Sequence, residues 1–192
     1  RDNRLAPAIP EVREVRRRIE GVEYRDHRLA LMYLYLIDGR ISEAVSRRCE
    51  SDTGTTPRGP TGRDVDYLSH NGEEAAIFHV RTAKRGGVER ICAQPLDSVY
   101  QPWTKPVADY LSSLGADEPA FPWTRQRMFV VADLAFRGLS YDISEYTNIV
   151  YIRDGDGSIA RDSEGKPQIG RKEKVECHPN RFRLHGIRHL VA

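Results

Sequence analysis

The strongest hydrophobic pattern in the chain runs over residues 24–37, where apolar side chains recur three and four positions apart and widen into a broad face. A pattern of this width predicts a central helix that is buried on nearly all sides. Asp38-Gly39 has turn chemistry and is expected to end this helix. A second helix is expected to begin at Arg40 or Ile41, which places Arg40 at the corner between the two helices.

Two strand-like runs follow, at residues 75–82 and 88–95, and they flank Arg85-Gly86-Gly87. They predict a β-hairpin, with Lys84 at its tip. Further expected elements are helices at 11–19, within 103–114 and at 124–138 (inner face Met128, Val131, Leu134 and Ala135), and weaker strands at 65–68, 148–152 and 168–175.

These elements predict an α+β fold that is mostly helical and carries a small antiparallel sheet or hairpin. Residues 1–9 form a polar arm. Residues 10–192 form one domain, in which residues 139–178 are interpreted as a β-rich insertion. Within it, residues 154–165 begin like a calcium-binding loop, but position six is Ile159 and position twelve is Gly165, where that loop needs Gly and Glu. A tight turn is expected there instead.

Composition narrows the functional classes. The 192 residues carry a formal net charge of only +2, so an interaction with nucleic acid would depend on local patches. One such patch lies in residues 171–189, where six Lys and Arg residues outnumber two Glu residues. No apolar run reaches the roughly 20 residues of a membrane span. Three widely spaced cysteines without a C-x-x-C pair favour a reducing compartment.

The segment His185-Gly186-Ile187-Arg188-His189 carries the clearest chemical signal. On a helix, His185 would share one face with both Arg188 and His189, because it lies three and four positions away from them. An arginine that holds a phosphate charge and a histidine that moves a proton suit phosphoryl transfer. Taken alone, this segment would be read as a basic helix end in solvent.

Two upstream segments change that interpretation. Residues 36–44, which contain Arg40, resemble the first arginine motif of tyrosine recombinases, the phage-type and archaeal integrases. Residues 81–90 resemble their lysine-bearing β-hairpin, and residues 185–189 resemble their H-x-x-R box. The three motifs occur in the family's order and on the expected elements, and the resemblance covers roughly residues 9–192.

The resemblance implies a role for each matched residue. Arg40 and Arg188 would hold the non-bridging oxygens of the scissile phosphate. Lys84 would protonate the departing 5′ oxygen, and His185 would assist proton transfer at the side of the nucleophile. The remaining implied residues are Glu43 and His189 in supporting roles, and Arg85, Arg181 and Arg183 as DNA contacts.

The resemblance also has implications for the nucleophile, the partners and the cellular location. The family's nucleophile is a tyrosine beyond the H-x-x-R box, but all nine tyrosines here precede His185, and the last is Tyr151. The chain is therefore expected to stop before its nucleophile, to bind DNA and to be inactive alone. The expected partners are double-stranded DNA and, for the full-length protein, three further copies in a tetramer. No metal or cofactor is expected, and the implied location is the cytoplasm, with the host nucleoid.

Three other interpretations stay open. The chain could be a non-catalytic DNA-binding or assembly module with the recombinase fold. It could be a zinc protein that uses Cys177, His178, His185 and His189, although the neighbouring basic residues would repel a dication. A type IB topoisomerase uses a similar set of residues, but the short hairpin and the chain length favour a recombinase.

Overall fold

The computed structural model describes residues 11–48, 58–82, 88–139, 146–175, 182, 186 and 187. They fall into two compact units, a larger one over residues 11–138 with 182, 186 and 187, and a smaller one over the described part of residues 139–175. The chain is 33% helical and 25% strand, and its sheets are antiparallel. The fold is therefore mixed α and β; the expectation that it is mostly helical is not confirmed.

Among the described residues, the larger unit contains five helices and three strands, and the smaller unit contains a two-stranded hairpin. Their bounds are α1 Val12–Glu20, α2 Arg25–Leu36, α3 Ile41–Ala44, β1 Val65–His70, β2 Glu73–Arg81, β3 Glu89–Pro95, α4 Thr104–Ser112, α5 Arg125–Ala135, β4 Tyr146–Tyr151 and β5 Ile169–Val175. Each of these elements overlaps one that the sequence predicts. No helix in the described part of the chain is long and apolar enough to span a membrane.

Helix α2 forms the centre of the larger unit, as its wide apolar face predicts. Every residue from Leu29 to Leu36 is buried. The ring of Tyr33 packs against Phe78 on the inner face of β2 and against Phe121, with both pairs of ring centroids 5.9 Å apart. Because burial of each large side chain contributes about 1.5–3 kcal/mol, this helix supplies much of the driving force for folding.

The end of α2 is fixed by a turn and by the neighbouring sheet. Asp38 adopts a positive φ of 47°, and the Gly39 N–H donates to the Leu34 carbonyl at 3.0 Å. The last carbonyls of a helix lack partners within it. Here the carbonyl of Leu36 accepts a hydrogen bond from Gln94 Nε2 on β3 at 2.8 Å. The strand therefore caps the helix and fixes the position of the residues that follow.

The sheet of the larger unit has the strand order β1-β2-β3, with both pairs antiparallel. Its β2–β3 hairpin confirms the predicted one. Arg81 pairs with Glu89, and the Thr82 N–H donates to the Val88 carbonyl at 3.0 Å. The turn at residues 83–87 lies outside the described residues.

Two predicted apolar faces are wrong in part. On α5, Met128, Val131 and Ala132 are buried, but Leu134 is 57% exposed because it lines a surface cavity. The helix also stops at Ala135 and does not reach residue 138. For α3, the sequence pattern predicts that Ile41, Ala44 and Val45 point inward; Ala44 and Val45 are fully buried, but Ile41 is only partly buried.

The smaller unit is built on the antiparallel β4–β5 hairpin, which confirms both strands predicted there. Its register shifts between Val150 and Tyr151. The predicted tight turn is also present: the Asp154 N–H donates to the Ser158 carbonyl, and the Gly157 N–H donates to the Asp154 carbonyl, both at 2.9 Å.

Candidate functional site

Arg40 lies immediately before the first residue of α3, at the corner that the sequence predicts. Its backbone N–H donates to Glu43 Oε2 at 3.0 Å, and its side-chain Nη1 donates to Glu43 Oε1 at 3.3 Å. One carboxylate therefore binds both the backbone and the guanidinium of the same arginine. This arrangement needs residues three apart in a first helical turn, which is the spacing that the sequence provides.

Glu43 is buried, with 1% of its side chain exposed. Besides Arg40, it is bound by Arg90 of β3, whose Nη2 lies 3.4 Å from Glu43 Oε2 and also donates to the Ile37 carbonyl at 2.6 Å. A buried carboxylate is costly unless it is paired and hydrogen-bonded. The two arginines meet that requirement and link α3 to the end of α2 and to the sheet.

The group formed by Arg40, Glu43 and Arg90, called here the arginine corner, carries two positive charges and one negative charge. The two arginine side chains are each about a third exposed, at 33% and 34%. Within the described part of the chain, each guanidinium donates through one nitrogen only, Nη1 of Arg40 and Nη2 of Arg90. Further N–H groups can therefore bind an anionic oxygen from solvent, as guanidinium forks bind phosphate.

A second buried carboxylate fixes the start of the sheet and the end of β2. Asp64 accepts hydrogen bonds from the Thr61 N–H at 2.7 Å and from Thr61 Oγ1 at 2.8 Å, and it forms an ion pair with Arg81. Burial, and then the charge of Asp64, raise the pKa of the Tyr33 hydroxyl well above its usual range. The Asp64–Arg81 pair therefore holds the end of β2 that lies next to the hairpin turn.

On the outer face of the sheet, His79 bridges two carboxylates. Its Nδ1 lies 2.7 Å from Glu89 Oε1, and its Nε2 lies 2.9 Å from Asp66 Oδ2. The hydrogen bond to Glu89, followed by the one to Asp66, raises the pKa of His79 against the opposing effect of burial. Both carboxylates accept only from a doubly protonated ring, so the bridge across the three strands is complete only in the imidazolium form.

The segment after residue 57 packs directly on α3. The Arg58 N–H donates to the Ser42 carbonyl at 2.7 Å, and the Gly59 N–H donates to the Val45 carbonyl at 2.9 Å. A Cβ atom on Gly59 would lie 2.5 Å from the Ala44 carbonyl oxygen. Only glycine permits this approach, which ties the segment to α3 and to Val45 after it.

Of the residues that the sequence predicts for the site, the structure describes two, Arg40 and Glu43, and it brings them together. The others lie outside the described residues, so their placement stays a prediction; they are Lys84, Arg85, Arg181, Arg183, His185, Arg188 and His189. Sequence reasoning missed Arg90. The sequence feature that could have indicated it is the alternation of side chains along β3. Ile91 lies on one side of the strand, and Arg90 lies on the other side with Cys92 and Gln94. The side chains of Cys92 and Gln94 bind the Leu36 carbonyl at the end of α2.

Comparisons with known proteins do not identify a family: no protein-family model matches the chain, and neither do the curated proteins or the solved structures searched.

The zinc interpretation involves Cys177, His178, His185 and His189, which lie outside the described residues. Among the described residues, no group of three or more His, Cys, Asp or Glu side chains could hold a metal ion.

Proposed function

We propose that this chain belongs to a site-specific DNA recombinase or integrase that acts by phosphoryl transfer through a 3′-phosphotyrosyl intermediate. Its own part would be to bind duplex DNA and to hold a phosphate. The observation that carries the proposal is the arginine corner, which includes a residue near the turn end of a β-hairpin. There, Arg40 is oriented by a buried carboxylate, and Arg90 links that carboxylate to β3.

The chemistry of the corner supports this assignment. In phosphoryl transfer, charge builds on the non-bridging oxygens, and donors that are already oriented stabilise it without reorganising. Glu43 restrains Arg40 at its backbone and its side chain, so the guanidinium is held in place before any phosphate arrives. A partly exposed arginine without such a restraint would lose side-chain entropy on binding.

The resemblance supplies the remaining roles. Arg188 would bind the phosphate together with Arg40. Lys84 would protonate the departing 5′ oxygen, and His185 would assist proton transfer at the side of the nucleophile. Arg85, Arg181 and Arg183 would contact DNA, and His189 would support the site. The proposed partners are double-stranded DNA and other copies of the full-length protein in a tetramer, and the proposed location is the cytoplasm.

A substrate that already carries an aryl leaving group tests the phosphate site without a tyrosine nucleophile. In a nicked duplex whose 3′ end bears a p-nitrophenyl phosphate, the neighbouring 5′-hydroxyl attacks phosphorus. A new P–O bond forms, the bond to the aryl oxygen breaks, the hydroxyl proton passes to a base, and p-nitrophenolate is released. We expect the 192-residue chain to accelerate this release on a pool of nicks of varied sequence, read by absorbance and by ligated product.

Substitution at the corner gives the decisive comparison. Arg40→Gln should slow release about 100-fold or more, as for the loss of one oriented donor to a transition-state oxyanion. Arg63→Gln is the matched control, because Arg63 is 57% exposed and pairs with exposed Asp117, which is not part of the arginine corner. Equal rates for the two variants, or no acceleration by the unaltered chain, would refute the proposal.

A non-catalytic DNA-binding or assembly module is the second candidate, because the Arg40–Glu43 pair also closes the corner between α2 and α3 and would be needed for that alone. Salt-dependent duplex binding without p-nitrophenolate release would favour it. In either case, Arg40→Gln should reduce the slope of log K against log salt by about one if Arg40 contacts a phosphate.

A further inference from the structure

A surface cavity of about 440 Å³ lies in the larger unit between α1, the turn after it, and α5. It is separate in sequence and in lining residues from the arginine corner. Its volume falls in the range of pockets that hold small organic molecules, which are mostly apolar and contain a few polar groups. The residues that line it are of both these kinds, and they indicate which class of ligand it would bind.

Two of the polar side chains that line the cavity, His27 and Arg127, have no hydrogen-bond or ion-pair partner among the described residues. His27 is only 9% exposed, and neither of its ring nitrogens hydrogen-bonds to any residue that the structure describes. Its ring is held edge-on between Tyr24 and Trp123, at centroid distances of 5.5 and 4.7 Å. Since its nitrogens are not among the fully enclosed polar atoms of the described residues and the ring lines the cavity, a molecule in the cavity can form a hydrogen bond with them.

Arg127 provides the charge. Its guanidinium has no hydrogen bond or ion pair with any described residue, whereas Arg17 and Arg18, which also line the cavity, bind Glu14 at 2.7–2.8 Å. Burial, and then the charge of Arg127, lower the pKa of His27, so its ring is neutral at pH 7 and carries one N–H donor. An anion can therefore receive a charge-assisted bond from Arg127 and a second bond from His27.

The apolar wall of the cavity belongs to α5. Val130 is 52% exposed and Leu134 is 57% exposed, and both line the cavity beside the buried Val131. Two large aliphatic side chains on one exposed helix face lose contact with water if a hydrocarbon group fills the space between the helices.

We propose that this cavity binds a small amphipathic organic anion, whose carboxylate pairs with Arg127 and His27 and whose hydrocarbon part lies against Val130, Val131 and Leu134. Three arginines and one glutamate, Glu23, line the cavity, so an anion is favoured over a cation. The proposal does not depend on the function proposed for the arginine corner.

Octanoate is a suitable probe, because it combines one carboxylate with a flexible alkyl chain. Titrated calorimetrically into the 192-residue chain, it should bind one site saturably, with a dissociation constant of about 1 mM. Butyrate should bind more weakly, since it covers less of the apolar wall. Octanol should also bind more weakly, since it carries no charge.

Three variants assign the contacts. Arg127→Gln should weaken octanoate binding about fivefold to tenfold, as for the loss of one charge-assisted bond. His27→Phe keeps the ring between its aromatic neighbours and removes both nitrogens, so it should weaken octanoate binding and leave octanol binding unchanged. Leu134→Ser should weaken both ligands. Arg63→Gln, on a residue that does not line the cavity, is the control and should change neither.

The results of these titrations either support the proposed anion site or overturn it. A loss of octanoate affinity in Arg127→Gln and His27→Phe, with the control unchanged, supports the proposal. It is overturned if octanoate shows no saturable binding, if octanol binds as tightly as octanoate, or if both variants bind octanoate like the unaltered chain. A thermal melt of each variant shows whether a lost affinity reflects lost folding, and a second variant, Arg127→Lys, should recover part of the binding because it restores the charge.

Discussion

Replacement of Arg90 by methionine is the sharpest test of how the arginine corner is held. Arg90→Met keeps an unbranched side chain of similar length but removes the charge and every donor. Two contacts are lost: the bond from Nη2 to the Ile37 carbonyl at 2.6 Å and the ion pair with Glu43 at 3.4 Å. Glu43 then stays buried, and its ion pair with Arg40 is retained.

The cost can be worked out from these contacts. A hydrogen bond from a charged donor contributes about 1.5–3 kcal/mol. Removing one partner of a buried ion pair costs about 3–5 kcal/mol, but Arg90 is 34% exposed and Glu43 keeps Arg40, so only a fraction of that applies. We expect a total loss of about 2–4 kcal/mol in the free energy of unfolding, which lowers Tm by roughly 5–15 °C in a chain of this length.

Urea unfolding followed by circular dichroism measures this loss, and Arg63→Met is the matched control. Arg63 pairs with Asp117, but both side chains are exposed, at 57% and 85%, so its loss should cost less than about 1 kcal/mol. In a Glu43→Gln background, where no buried charge needs a partner, Arg90→Met should cost about 1 kcal/mol less than it does alone. If Arg90→Met and Arg63→Met destabilise the chain equally, our account of the corner is incorrect.

Three further predictions concern stability. Gly59→Ala places a Cβ 2.5 Å from a backbone oxygen and should cost about 2–3 kcal/mol in urea unfolding, whereas Gly115→Ala, whose Cβ meets ordinary contacts at 3.5 Å, should be neutral or slightly stabilising. His79 has a raised pKa, so its bridge should contribute about 0.5–1 kcal/mol to the free energy of unfolding. This contribution is fully present below pH ~6.5 and is lost as pH rises through the folded-state pKa of His79. Thermal melts over a pH series should show the loss in the unaltered chain and not in His79→Gln. Met128→Ala should cost about 2–4 kcal/mol because the side chain is fully buried, and Leu134→Ala should cost under about 1 kcal/mol because it is 57% exposed; equal losses would contradict the assigned faces of α5.

The sequence predicts the elements whose signal is local. The apolar face of α2 repeats along one helix, and the two strands of the hairpin flank the sequence Arg85-Gly86-Gly87, so neighbouring residues carry the information. Thr124 is similar: its hydroxyl accepts the Arg127 N–H at 3.3 Å at the start of α5, as expected of a residue that caps a helix. The local pattern also places Arg40 and Glu43 together, because the two residues are three apart in one turn.

The features that the sequence does not predict depend on distant contacts. The pattern of α5 places Leu134 on the inner face, but the space that it would fill is a cavity bordered by α1, which is over a hundred residues away. The burial of Glu43 could not be predicted either, since a carboxylate in a first helical turn is ordinarily solvated. Its burial requires Arg90, which lies 47 residues further along the chain. Such pairings are set by tertiary packing and leave no periodic signal.

The arginine corner can combine a stabilising role with the proposed binding role because its charges do not cancel. If Glu43 paired with a single arginine, the pair would be neutral and would attract an anion weakly. With Arg40 and Arg90 sharing the carboxylate, the buried charge is compensated and a net positive charge is left at the partly exposed guanidinium groups. Each arginine uses only one side-chain nitrogen to hold Glu43 in place, so the restraint removes little of its capacity to donate. The same contacts that stabilise the fold therefore leave N–H donors for a second anion, which is the property that the proposed phosphate site would need.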